Sequence, residues 1–134
     1  MNRKQAREFV MQTLFQIEVH KDFDNPDFDW YMAECGAGNQ KEYITGLLSS
    51  ICGNIEKIDG MIDAASEGWP SSRMSKPDLA IIRVAVGEIL FADDVPKAVA
   101  INEAVNLSKN YGTEQSPKFV NAVLGKIEKQ PWKR

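Results

Sequence analysis

Residues 79–92 read "LAIIRVAVGEILFA", and this stretch decides the fold class. Its apolar side chains point to nearly every side of a helical wheel, a distribution typical of a helix enclosed by other helices. Ser75 is followed three residues later by Asp78, as in a capping box, and Pro77 falls in the first turn, where its missing N–H does no harm. A helix is therefore predicted to begin there and to lie at the centre of the core.

The longest apolar periodicity runs from Ile44 to Ala65. Successive apolar residues in this segment are separated by four and three positions in turn. This pattern predicts one helix of about six turns with a single buried face. Gly46, Gly53 and Gly60 each lower helix propensity by up to ~1 kcal/mol, and we expect them to allow close approach of another helix.

The other periodic segments are also helical. An amphipathic helix is predicted over 5–19, followed by an acidic and aromatic connector, 22–31, that breaks the helix or starts a short second one. Another helix is expected over 98–111, ended by Gly112 in a left-handed cap, and Ser116 opens the last one. Because no segment alternates with period two, the predicted fold class is all-α.

Composition narrows the function classes. A chain of 134 residues with 43% hydrophobic and 26% charged residues fits one folded domain, residues 1–134. The net charge of −3 argues against a protein that coats nucleic acid through bulk positive charge, so any such site must be local. No stretch approaches ~18 uncharged apolar residues and the N-terminus lacks a secretory pattern, which predicts a cytoplasmic protein without a membrane segment.

Motifs for catalysis or metal binding do not occur in the sequence. There is no phosphate-binding G-x-x-x-x-G-K-[ST] and no zinc-binding H-E-x-x-H. His20, the only histidine, falls at a helix end, and Cys35 and Cys52 lack the close pairing of zinc ligands. No catalytic site, cofactor or metal is predicted.

The first helix has a second face away from its apolar stripe, spanning roughly 80°. This face carries Lys4, Arg7, Met11 and Phe15, and Arg3 lies beside it at the helix start. Cations and a ring together suit nucleic acid, since cations contact phosphates and rings stack on bases. A solvated basic N-terminus is the alternative interpretation.

The start of the last helix offers the same chemistry. Phe119 falls at the edge of the apolar stripe beside Lys118, after Gln115 and Ser116. A helix N-terminus presents free N–H groups to phosphate, and Gln and Ser can hydrogen-bond base edges. The alternative is that Phe15 and Phe119 pack on each other or into a second core layer, and the residues alone leave both interpretations open.

Four strings together resemble the NusB family of bacterial transcription antitermination factors over nearly the whole chain. They are "QAREFVMQTLFQIE", "DLAIIRVAVGEIL", "VPKAVAINEAVNLSKNYG" and "SPKFVNAVLGKI". The resemblance implies two three-helix bundles packed together. It also implies binding of boxA, a single-stranded element of nascent ribosomal RNA leaders, together with the ribosomal protein NusE, in a complex that joins elongating RNA polymerase.

The resemblance also implies which residues contact RNA: Arg3, Lys4, Arg7, Phe15, Arg83, Gln115, Ser116, Lys118 and Phe119. The basic start is sparse compared with relatives that carry a run of arginines, so we expect weak RNA affinity without the partner. For the partner interface the acidic residues Asp78 and Glu88 are the candidates, because a basic partner would complement them.

Three alternatives to RNA-dependent antitermination belong to other classes of protein function. The same kind of domain occurs fused to RNA cytosine methyltransferases, but this chain leaves no room for a cofactor-binding sheet, so an enzyme is not expected. A homodimer that buries the RNA surface, and a protein-interaction helical module that does not bind RNA, stay open as alternatives.

Overall fold

The computed structural model describes residues 1–131, and every regular element in that range is helical. The helices are α1 (Arg3–His20), α2 (Phe28–Met32), α3 (Lys41–Gly53), α4 (Ile55–Ala65), α5 (Lys76–Phe91), α6 (Lys97–Tyr111) and α7 (Ser116–Glu128). Short 3₁₀ turns occupy Gly38–Gln40 and Ser71–Arg73. The all-α prediction is confirmed. None of the helices in the described range has the length and apolarity needed to cross a membrane.

Helix α5 forms the centre of the core, as predicted. Ten consecutive residues, Leu79–Glu88, are buried. The helix packs with α1 and α3 on one side and with α6 and α7 on the other, and α4 rests on α5 and α7. The Ser75 side chain accepts a hydrogen bond from the Asp78 N–H at 3.3 Å and caps the helix. The helices therefore form the packed bundles implied by the family resemblance, and α5 takes part in both.

The prediction of one helix from Ile44 to Ala65 is wrong. Asn54 has φ −128° and ψ 25°, which ends α3 before α4 begins. Gly53 and Asn54 are both weak helix formers, so little propensity opposes a break there. The two halves also bury their apolar faces against different neighbours, since α3 packs on α1 and α5 while α4 packs on α5 and α7.

Close helix approach occurs at Gly87 of α5 and not at the three glycines expected. A Cβ built on Gly46, Gly53 or Gly60 would meet nothing within 4 Å. At Gly87 it would lie 2.5 Å from Cγ1 of Ile51 and 3.1 Å from Cδ1 of Leu47. Gly87 therefore sets how closely α3 approaches α5.

Gly87→Ala should lower the free energy of unfolding by about 1 to 2 kcal/mol, because the added methyl group overpacks the contact between α3 and α5. The control is Gly60→Ala, at an exposed position within α4 where the methyl group meets open space. It should raise stability by about 0.5 to 1 kcal/mol. Urea unfolding of the two variants measures both effects, and equal changes in the two would contradict the packing assigned to Gly87.

The expectation of a left-handed cap at Gly112 is also wrong. Gly112 has φ −103° and ψ −166°, an extended conformation. A glycine is needed there for space, because a Cβ at this position would collide with the side chain of Ser116. The turn that Gly112 starts leads directly into α7.

Candidate nucleic-acid interface

Arg7 is buried and paired, so the expectation that it faces solvent for RNA binding is wrong. Its side chain is 6% exposed, and its Nε and Nη2 donate to the two carboxylate oxygens of Glu88 at 2.7 and 2.9 Å. Burial alone would lower the pKa of Arg7, but the hydrogen bond and the charge of Glu88 outweigh burial and raise it. Glu88 is fully buried, which also removes it as a candidate for partner binding.

The buried arc of α1 is wider than its apolar stripe indicates. Helix α1 packs against both α3 and α5, so residues beyond the stripe are covered from two sides. Met11 is only 2% exposed for this reason, although the sequence pattern places it on the second face. The solvent-facing side of α1 is therefore rotated away from Arg7 and Met11.

Arg83 is the second buried arginine. Its Nε and Nη2 donate to Asp59 at 2.9 and 2.7 Å, and its Nη1 donates to Glu18 at 2.8 Å. The guanidinium also lies 4.9 Å from the centre of the Phe23 ring. Arg83 joins α1, α4 and α5 through three of its donors, and its burial gives no support to the RNA contact that the family resemblance implies.

Arg3 points toward α3, away from the rest of the predicted site. Its Nε donates to Gln40 at 2.8 Å, and its guanidinium lies 4.0 Å from the centre of the Tyr43 ring. Its Nη1 is 3.7 Å from a carboxylate oxygen of Asp94. The basic start of α1 is therefore divided, and only Lys4 remains as an exposed cation on the other side of the helix.

We call one strip of α1, with four side chains within about 80° of one another, the exposed face of α1. It carries Lys4 and Gln12, which are exposed, and Glu8 and Phe15, which are half-buried. Gln12 donates through Nε2 to the hydroxyl of Tyr111 at 2.9 Å, which joins this face to the end of α6. The sequence pattern did not indicate a role for Tyr111, and its one signal is an aromatic residue directly before the glycine that ends α6. The α1 face therefore lies beside the turn that leads into α7.

The start of α7 holds the second group of predicted residues, and three of its four reach the surface. Gln115 and Lys118 are exposed, and Phe119 is half-buried with part of its ring packed on the core. Ser116 is 2% exposed and its hydroxyl accepts the N–H of Thr113 at 2.9 Å. The expectation that Ser116 reads a base is therefore wrong, because its side chain holds the turn before α7.

A surface pocket of about 180 Å³ adjoins Phe119. Its lining includes Gln115, Asp78 and Trp69, and Trp69 is 49% exposed. The Oδ1 atom of Asp78 is buried and has no hydrogen-bond partner among the described residues. Asp78 also brings a carboxylate to the lining of this pocket, so the pocket suits a partner with basic side chains.

The rest of the described chain offers little for chemistry. No group of three or more metal-ligating side chains occurs within residues 1–131. Burial raises the pKa of the Cys52 thiol to about 11, so this cysteine is a neutral core residue at physiological pH.

Comparison with known proteins agrees with the sequence resemblance. The model of the NusB family matches residues 4–129. The transcription antitermination protein NusB of Acetivibrio thermocellus is 42% identical, over 96% of this chain and 90% of that protein. The structure of T. maritima NusB superposes with a TM-score of 0.87 at 34% identity, over 97% of this chain and 92% of that one.

A crystal structure of NusB and NusE in complex with double-stranded RNA contains a chain of the same fold. Its TM-score is 0.77 at 24% identity, over 95% of this chain and 96% of that one. That likeness concerns the fold. The family model and the relatives at higher identity together establish that this chain belongs to the NusB family.

Proposed function

We propose that this chain is a transcription antitermination factor. It binds boxA-type single-stranded RNA of nascent ribosomal transcripts together with NusE, and the complex joins elongating RNA polymerase. The whole chain acts as one cytoplasmic domain, through binding and without a catalysed reaction. Family membership supports this role, and the observation that carries the RNA contact is the half-exposed Phe119 beside Lys118 at the start of α7.

The RNA surface consists of the exposed face of α1 and the start of α7. Phe15 and Phe119 are half-buried, so each keeps part of its ring on the core and part available for stacking. Lys4 and Lys118 are exposed cations for phosphate, and Gln115 is an exposed amide for a base edge. Two cations are few, so affinity for RNA alone is weak and depends on the partner.

The partner surface is the pocket beside Phe119. A basic side chain of NusE would contact the carboxylate of Asp78, and NusE would cover the ring of Trp69. Because Phe119 and Gln115 line the same pocket, a protein bound there would border the RNA. Each ligand would then raise the affinity of the other by the same factor.

Phe119→Leu should weaken binding of a boxA-like single-stranded RNA by about 1 to 2 kcal/mol, because leucine keeps the apolar packing but offers no π-face. The measurement is a fluorescence-anisotropy titration with and without NusE. The control is Phe28→Leu, at another half-buried phenylalanine that packs on the core from α2. If Phe119→Leu binds like the parent, RNA does not stack at the start of α7.

Asp78→Asn should weaken NusE binding by about 1 to 1.5 kcal/mol, the difference between a hydrogen bond to a charged group and one to a neutral group, because asparagine keeps an acceptor oxygen and loses the charge. The free variant should lose no more than about 1 kcal/mol of stability, because it gives up the negative charge of Asp78 in the first turn of α5. Calorimetric titration with NusE measures the first effect and urea unfolding the second. Unchanged affinity for NusE would show that the partner binds elsewhere.

A further inference from the structure

A groove of about 250 Å³ runs between α1 and α6, next to the proposed RNA surface. Most of its lining residues are polar or charged, most of its accessible surface is apolar, and the buried Arg7 and Leu107 also line it. The lining side chains are Lys4, Gln5, Arg7, Glu8, Glu103, Asn106, Leu107 and Asn110. None of these besides Lys4 and Arg7 belongs to the RNA site implied by the family resemblance.

Three amide side chains line this groove. Asn106 and Asn110 are exposed on α6 one turn apart, and neither side chain is hydrogen-bonded to another described residue. On the α1 side, the Oε1 atom of Gln5 accepts the N–H of Asn2 at 2.9 Å, which fixes this side chain and leaves its NH₂ group as a donor. Each amide of α6 offers both a donor and an acceptor, the combination that pairs with a base edge.

The floor and one end of the groove are held in place. The bidentate pair of Arg7 with Glu88 anchors the floor, and Glu103 lies 3.9 Å from Nη1 of Arg7. At the end, Tyr111 directly follows Asn110, is 37% exposed, and has its hydroxyl held by Gln12. The side chains that would contact a ligand therefore stand on two fixed helices, which lowers the entropy lost on binding.

The charges in the groove favour a neutral nucleobase over a phosphate as its ligand. Carboxylates of Glu8 and Glu103 line it, so a phosphate would be repelled from the interior. A neutral base has N–H groups that carboxylates and amide oxygens accept, and its phosphate can remain outside, at Lys4. Through Gln12 and Tyr111 the groove is continuous with the α1 face that carries Phe15.

We propose that this groove holds one unpaired nucleobase of the bound RNA, with Asn106 and Asn110 reading its edge and Lys4 contacting the adjoining phosphate. The site rests on the proposed function and extends it. The RNA would pass from Phe119 at the start of α7 across Tyr111 to the groove between α1 and α6. One base of the RNA is then read by hydrogen bonds in addition to stacking.

The test is the Asn106→Ala/Asn110→Ala double variant, titrated with a boxA-like single-stranded RNA and with a set of the same RNAs that each lack one base. The parent should lose affinity about 5- to 100-fold when one particular base is missing. The double variant should bind the complete RNA more weakly by a similar factor, and should not respond to loss of that base. Because no charge changes, the salt dependence should stay that of the parent.

Asn102→Ala is the control, since Asn102 is exposed on the same helix but does not line the groove. Parent-like RNA affinity in the double variant, with Phe119→Leu still weakened, would overturn the groove and leave the proposed function intact. A change in self-association without a change in RNA affinity would also overturn it and assign the groove to a second copy of the chain. If the parent itself binds no RNA, with or without NusE, both proposals fail together.

Discussion

Arg7→Met should lower the free energy of unfolding by about 3 to 5 kcal/mol, the largest loss we expect from one substitution in this protein. Methionine replaces the aliphatic part of the arginine side chain and keeps its apolar contacts, but it leaves the carboxylate of Glu88 without its partner. Glu88 is completely buried, so water cannot replace the two lost hydrogen bonds. Loss of this much stability would be a large share of the total for a domain of this size.

The companion variant separates the ion pair from the packing. In Arg7→Met/Glu88→Met both charges are removed together, so most of the lost stability should return, because no buried charge is left unpaired. Urea unfolding at pH 7 followed by circular dichroism measures all three proteins. A double variant as unstable as Arg7→Met, or a single variant as stable as the parent, would contradict the buried pair.

Arg83→Met should cost about 2 to 4 kcal/mol, somewhat less than the change at Arg7. The reason for the smaller effect is exposure. The side chains of Glu18 and Asp59 are 24% and 26% exposed, so water can partly solvate their carboxylates once the guanidinium is gone. The loss should still be large, because three charge-assisted hydrogen bonds that join α1, α4 and α5 are broken at once.

The control for both arginines is Arg73→Met, in the exposed turn before α5. It should change stability by no more than about 0.5 kcal/mol. Thermal unfolding of Arg83→Met and Arg73→Met side by side gives the comparison. Similar melting temperatures for the two variants would show that Arg83 is not an anchor of the fold.

The helices were predictable because their signals are local. Apolar spacing, the Ser75 cap and the turn residues all act within a few positions, so α1, α5, α6 and α7 were predicted within a few residues of their bounds. The break at Asn54 was missed because the apolar spacing continues through it, and only the different packing of α3 and α4 shows why the helix ends there.

The site was predictable only in part, because the exposure of a charged side chain depends on distant residues. Arg7 and its partner Glu88 are 81 positions apart, and nothing near Arg7 in the sequence shows that it is buried. The sequence around Glu88, the other member of the pair, did carry a signal of burial. Glu88 lies within a helix that is apolar on nearly all sides, where a charged group is expected to be buried and paired.

The central claim is that RNA binds the exposed face of α1 and the start of α7. Substitution of Lys4 and Lys118 tests this claim most directly. The measurement is the salt dependence of boxA-like RNA affinity for Lys4→Gln/Lys118→Gln, beside the control Lys41→Gln/Lys129→Gln, which removes the same charge from exposed positions elsewhere. The first variant should lower the magnitude of the slope of log K against log salt by about 1.4, or about 0.7 for each lost phosphate contact. The control should keep the slope of the parent, and equal slopes in all three proteins would contradict the account.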